Sequence, residues 1–197
     1  MKKAIFGFGG HAREAAVQMG DNFEFFVDDA FSSPDTRPIS SFDPNEFELM
    51  IAIADCKSRE SIVQKLPKET RYFSFVHPTA LIMDRDIKIG EGSFIGAYSI
   101  LTTRIEIGRH AILNRGNHIG HDSNIGDFFS MMPGAIVSGN ATIGNRVYMG
   151  TNSTVIEKKS IVDDVILGAN SVAVKNIETR GTYVGVPSKM INYGNTR

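Results

Sequence analysis

The stretch Ile119-Gly120-His121-Asp122-Ser123-Asn124-Ile125-Gly126-Asp127-Phe128-Phe129-Ser130-Met131 carries an apolar residue at every sixth position. Followed in both directions, the same step visits Ile89, Ile95, Leu101, Ile107 and Leu113, then Val137, Ile143, Met149, Val155, Ile161 and Leu167, without meeting a polar residue. Glycine often follows this anchor, as at Gly90, Gly108, Gly126, Gly144 and Gly150, and a small or apolar residue stands two positions before it, as at Ser93, Ala111, Ala135 and Val147. A period of six fits neither an amphipathic helix nor a long half-buried strand. It is the mark of a parallel β-helix in which each hexad makes one short strand and one corner, and three hexads close a triangular coil. The anchors stack inside the prism, and glycine beside them is expected to supply the sharp corner. With strands of neighbouring coils about 4.8 Å apart, the run from Ile89 to about Asn176 makes roughly five coils on the order of 24 Å long.

The first 76 residues have a different texture. Lys2-Lys3-Ala4-Ile5-Phe6 followed by Gly7-Phe8-Gly9-Gly10-His11 reads as strand, glycine-rich turn and helix start. Further apolar runs fall at Phe23–Val27, ending in Asp28-Asp29, at Leu49–Ala54, before a charged helical segment, and at Tyr72–Val76. Strands alternating with helices predict a small Rossmann-like α/β domain over residues 1–76, ahead of a β-helix domain with a C-terminal tail over residues 77–197. Ligands of such sheets sit at the carboxyl ends of the strands. Gly9, Gly10, His11, Asp28 and Asp29 therefore mark where a nucleotide would bind, with glycines admitting phosphate or sugar and a carboxylate accepting from ribose or base. A tight turn without ligand is the competing reading, and no P-loop lysine follows.

Composition narrows the partners. The 197 residues are 42% hydrophobic, with 21 basic against 22 acidic side chains, so no electrostatic footprint for nucleic acid or an anionic membrane is visible. The N-terminal apolar run is too short and broken for a signal peptide or a span, and a cytoplasmic protein is expected. A single cysteine, Cys56, excludes an intramolecular disulfide and a cysteine-based metal cluster, and reads as a structural thiol.

Three motifs, Gly7-Phe8-Gly9-Gly10-His11 with Asp28-Asp29, Asn117-His118-Ile119-Gly120-His121-Asp122, and Gly185-Val186-Pro187-Ser188-Lys189, resemble those of a known group over essentially the whole chain. The chain looks like the bacterial hexapeptide-repeat sugar acetyltransferases, which include the sialic acid O-acetyltransferases and the N-acetyltransferases of nucleotide-linked 4-amino-4,6-dideoxy sugars. The resemblance implies a left-handed β-helix, a homotrimer with active sites between subunits, and acetyl-CoA as donor with no metal. It implies acetylation of a nucleotide-linked amino sugar destined for a surface glycan, or of a sugar hydroxyl. It makes His121 the general base and Asp122 its carboxylate partner. It also places His11 and Ala54 at the substrate, Ala54 standing where relatives often carry glycine. Ser130, Thr151 and Ser160 then fall where relatives contact coenzyme A, which is expected along the C-terminal coils near Gly185 and Pro187; at Ser130 some relatives have histidine.

The chemistry accords with this assignment. An amine attacking a thioester must lose a proton, and a histidine titrating near neutrality suits that task. The repeat adds its own inference: three hexads on from His121 stands Gly139, whose backbone N–H is a candidate oxyanion donor. A zinc hydratase using His118 and His121 would need a third ligand. A catalytically silent scaffold is the other competing reading.

Overall fold

The computed structural model describes all residues except Asp21 and residues 192–197. Its first part is an open sheet of β1 (Lys2–Phe6), β2 (Glu24–Val27), β3 (Arg37–Pro38), β4 (Phe47–Ile51) and β5 (Arg71–Tyr72), in the order β3-β2-β1-β4-β5. Every pairing in it is parallel. Helix α1 (Gly10–Met19) joins β1 to β2, and α2 (Cys56–Lys65) joins β4 to β5. The Asp55 carboxylate caps α2 by accepting from Ser58 N at 2.8 Å, and Gly20 closes α1 at φ 73°. The two faces of the sheet are apolar. One packs Phe6, Phe26, Phe47, Leu49 and Ile51 under Ile62 of α2, while the other packs Ile5 and Met50 under Ala12 and Ala15 of α1.

The apolar run Tyr72–Val76, expected as one strand, divides between two structures. Arg71–Tyr72 ends the sheet, whereas Phe75–Val76 pairs in parallel with Phe94–Ile95 and opens the prism just before His77. Two further strands thus precede Ile89 and complete a coil with it. They escape a count in sixes because Ile82 pairs with Leu101, 19 positions on, whereas Ile89 pairs with Ile107. One extra residue shifts the phase.

From there the prism has three parallel faces. The first carries Phe75–Val76, Phe94–Ile95, Ile112–Leu113, Ser130–Met131, Tyr148–Met149 and Val165–Leu167. The second carries Leu81–Ile82, Ile100–Leu101, His118–Ile119, Ile136–Val137, Thr154–Val155 and Val172–Ala173. The third runs from Lys88–Ile89 through Glu106–Ile107, Asn124–Ile125 and Thr142–Ile143 to Ser160–Ile161. The anchors form one continuous core, joined by the small residues before them such as Ala111, Ala135, Ala141 and Val147. After Leu167 the chain adds Gly181–Val184 to the first face and returns antiparallel as Lys189–Ile191.

The corners correct the role expected of glycine. The residue in the left-handed region is the third after each anchor, from Gly92 through Tyr98, Arg104, His110 and Asp122 to Asn170, and eleven of these positions are not glycine. The glycines directly after the anchors serve close approach between coils. A Cβ on Gly126 would stand 2.7 Å from Asn145 N and from Gly144 C, and one on Gly150 would stand 2.5 Å from Ala169 N. Both are backbone obstacles of the next coil, which cannot step aside without breaking the ladder. Gly126→Ala is accordingly expected to cost roughly 1–3 kcal/mol, as overpacking does. A melting curve unchanged in that variant would show that the coils have slack.

The sheet domain docks on the first face of the prism. Phe94 and Ile112 of that face share a buried cluster with Ile5, Ala12, Ala15, Met50 and Phe73. At one edge of the face, Gln18 accepts from Ala97 N at 3.0 Å and Glu14 pairs with Arg115 at 3.3 Å. At the other edge lies Arg59 of α2, which is wholly buried. Its guanidinium donates to His110 O at 2.8 Å, Phe128 O at 2.7 Å, Phe129 O at 3.1 Å, Ser130 Oγ at 3.0 Å and also Ile53 O. Beside it the buried His110 ring stacks on Phe128 at 5.2 Å, and burial, then the Arg59 charge, push its pKa down to about 4.

Candidate active site

His121 stands on the corner between the second and third faces, exposed to solvent. Its Nδ1 lies 2.7 Å from Asp122 Oδ2. With Nδ1–H donating to that carboxylate, the basic lone pair sits on Nε2. Asp122 reaches back to its neighbour because it is the left-handed residue of the corner, at φ 58°. Its carboxyl is held down to about 2, first by hydrogen bonds from Arg104 and then by the one from His121. Arg104, one coil earlier in the same corner column, grips it through Nε to Oδ1 at 2.5 Å and Nη2 to Oδ2 at 2.9 Å.

Gly139 lies under the histidine, as the eighteen-residue coil requires. A Cβ there would stand 2.7 Å from His121 Nε2, so only glycine leaves the ring its place. Ser138 N donates to Val155 O and Asn140 N to His121 O, while among the described residues Gly139 N donates to none. A basic nitrogen and an uncommitted backbone donor thus share one open corner.

The carboxyl ends of β1, β2 and β4 gather the other expected residues. Gly9 caps α1 and Gly10 begins it, and a Cβ on either would meet nothing within 4 Å. Packing therefore does not demand glycine at these two positions, in contrast to Gly7, held at φ 113° against Ala52 O. His11 packs edge-on against Phe94 at 5.7 Å; burial, then the Arg59 charge, lowers its pKa. Exposed Asp28 and Asp29 border a cavity of about 310 Å³ over Phe6, Ile39 and Phe42, with Asp29 Oδ1 accepting from Ser40 N at 3.0 Å. Ala54 lies in a separate groove of about 500 Å³ between α2 and Tyr148 and Ile166 of the first face.

These two groups of residues lie apart within one chain. The sheet domain covers the first face, and His121 occupies the corner opposite that face.

No family model matches the chain. The GDP-perosamine N-acetyltransferase of Escherichia coli O157:H7 is 25% identical to it over 169 residues, which cover 77% of this chain and 76% of the relative. The acetyltransferase domain of PglB from Neisseria gonorrhoeae FA1090 superposes with a TM-score of 0.67 at 25% identity, over 96% of this chain and 99% of that domain. PerB from Caulobacter crescentus, solved with CoA and GDP-perosamine, superposes with a TM-score of 0.86 over 98% of both chains, and at 24% identity it speaks for the fold.

The chain resembles these acetyltransferases in sequence and in fold.

For an acetyltransferase of this kind, the expected coenzyme A contacts fall unevenly. Thr151 is exposed at the edge between the first and second faces, where Asn170 N donates to its carbonyl. Gly185 N donates to Ser171 Oγ at 2.9 Å nearby, and Pro187 borders a cavity of about 250 Å³ with Lys175 and Lys189. Ser160 is exposed on the third face. Ser130 departs from the expectation. It is fully buried, its hydroxyl donating to Ala54 O at 2.7 Å and accepting from Arg59, so it joins the two domains and has no surface left for a ligand. His118 and His121 find no third metal ligand among the described residues.

Sequence reasoning passed over Arg104 and Arg59. Arg104 was accessible in principle, being one coil from Asp122 in repeat phase. Arg59 carries no periodic signal, because its partners are mostly backbone carbonyls from remote parts of the chain.

Proposed function

We propose that this enzyme transfers the acetyl group of acetyl-CoA to the amine of a nucleotide-linked 4-amino-4,6-dideoxy sugar, with His121 as general base. The observation that carries this reading is the His121–Asp122 pair set over the free N–H of Gly139. The neutral amine attacks the thioester carbonyl, and its proton passes to His121 Nε2 as the carbon–nitrogen bond forms. Asp122 stabilises the resulting imidazolium, and Gly139 N–H receives the oxyanion. Collapse of the tetrahedral intermediate breaks the carbon–sulfur bond, and the departing thiolate takes the proton from His121, giving amide and free CoA.

The Rossmann-like domain supplies the nucleotide sugar. Gly9 and Gly10, free of packing demands, line the approach of phosphates at the start of α1, and Asp28 and Asp29 accept from ribose or base. Since this domain covers the face opposite His121, the sugar held by one subunit meets the histidine of another. A homotrimer of left-handed prisms satisfies that requirement, with coenzyme A in the clefts between subunits and its far end toward Gly185 and Pro187. The relatives' GDP-perosamine accords with a substrate of this class. No helix among the described residues is long and apolar enough to cross a membrane. An enzyme drawing on the acetyl-CoA pool works in the cytoplasm.

The test is thiol release from acetyl-CoA in the presence of UDP-, dTDP- and GDP-linked 4-amino and 3-amino sugars, with sialic acid alongside. Turnover of one amino sugar is expected. Turnover of sialic acid alone would move the assignment to O-acetylation, and silence across the panel would defeat it.

A further inference from the structure

Arg104 has no part in the transfer as described, yet it makes the most directional ion pair at the site. Its fork meets both carboxylate oxygens of Asp122, and Oδ2 receives Arg104 Nη2 and His121 Nδ1 together. The three side chains form one line across two coils, running from guanidinium to carboxylate to imidazole. A planar fork of this kind fixes the plane of a carboxylate, which an ammonium at the same place would leave free to turn. Resting on the proposal that His121 is the base, we propose that Arg104 is a positioning residue for it, locking Asp122 in the orientation that presents His121 Nε2 above Gly139.

Orientation separates this role from that of a surface ion pair, whose stabilising effect would be small: without the fork, Asp122 turns toward solvent and His121 loses its place. Few other charges face the group. Asp84 accepts from Arg104 N at 3.4 Å, and Lys88 and Glu106 pair with each other on the adjoining face at 2.5 Å. Glu157 and Lys158 lie two coils further along the corner.

The experiment compares wild type, Arg104→Ala, Arg104→Lys, Asp122→Asn and the double variant Arg104→Ala/Asp122→Asn as full-length protein. kcat and KM are measured separately with acetyl-CoA and the amino sugar found above, and each variant is melted from the same preparation. In Arg104→Ala kcat is expected to fall roughly tenfold while KM and the melt stay near wild type. Arg104→Lys, which keeps the charge without the fork, is expected to lose most of the same kcat. Removing Arg104 from Asp122→Asn is expected to leave the rate unchanged. An unmoved kcat in Arg104→Ala, full activity in Arg104→Lys, or an equal loss from the Asp122→Asn background overturns the proposal. Full activity in His121→Ala would instead discard His121 as base, and the positioning role with it.

Discussion

Alanine at position 121 is expected to lower kcat for acetyl transfer by roughly 10²–10⁴-fold, the range that a positioned general base contributes. KM for acetyl-CoA should stay close to wild type, since the ring acts on the proton that moves and not on the bound donor. The fold should be indifferent. His121 projects from an exposed corner, its anchor neighbour Ile119 keeps the core filled, and surface changes of this kind usually stay within about 0.5 kcal/mol. Steady-state kinetics and a thermal melt on the same preparation check both halves. Full activity in His121→Ala would remove the residue from the mechanism, while loss of activity together with loss of the melt would leave its role unassigned to chemistry.

The second large effect is expected at Arg59. This guanidinium is buried, and among the described residues no carboxylate pairs with it; carbonyl oxygens of Ile53, His110, Phe128 and Phe129 and the hydroxyl of Ser130 surround it instead. Burial lowers its pKa, yet an arginine starts so high that the charge is kept. Arg59→Ala removes the donors and leaves these acceptors buried without partners, a loss of roughly 3–5 kcal/mol in total. Lysine should recover little, because one ammonium cannot reach oxygens spread over two corners and the end of β4. Denaturation midpoints, followed by hydrogen exchange in α2 and β4, are the measurement, with exchange rising there before it rises in the prism. A loss below about 1 kcal/mol would mean that the apolar contacts of Phe94 and Ile112 hold the domains without it.

Much of this molecule is legible in its sequence because its core is one-dimensional. A stack of coils needs an apolar residue at a fixed interval, so the anchors from Ile89 to Leu167 announce themselves, and with them the place of Gly139 beneath His121. The first coil stays hidden, since one extra residue between Ile82 and Ile89 breaks the count. The glycines mislead in a more instructive way. Those after the anchors catch the eye as turn residues, whereas the turn itself is often made by residues such as Tyr98, Arg104, Phe128 or Lys158, side chains that a left-handed backbone ordinarily disfavours. The docking of the sheet domain is the least readable part. Arg59 bonds to oxygens whose position depends on the whole fold, and Ser130, an expected ligand contact, proves to be part of that joint.

The corner that holds Asp122 recurs on every coil, so the proposed catalytic pair occupies an address the scaffold would have built with or without it. Shifting a histidine and its carboxylate by eighteen residues would carry them to the next level in the same orientation, about 4.8 Å along the axis. The prism is therefore a ruler. Its graduations decide which atom of a long, extended donor comes level with the base, and donors of different reach can be met by choosing another mark while the core is left alone.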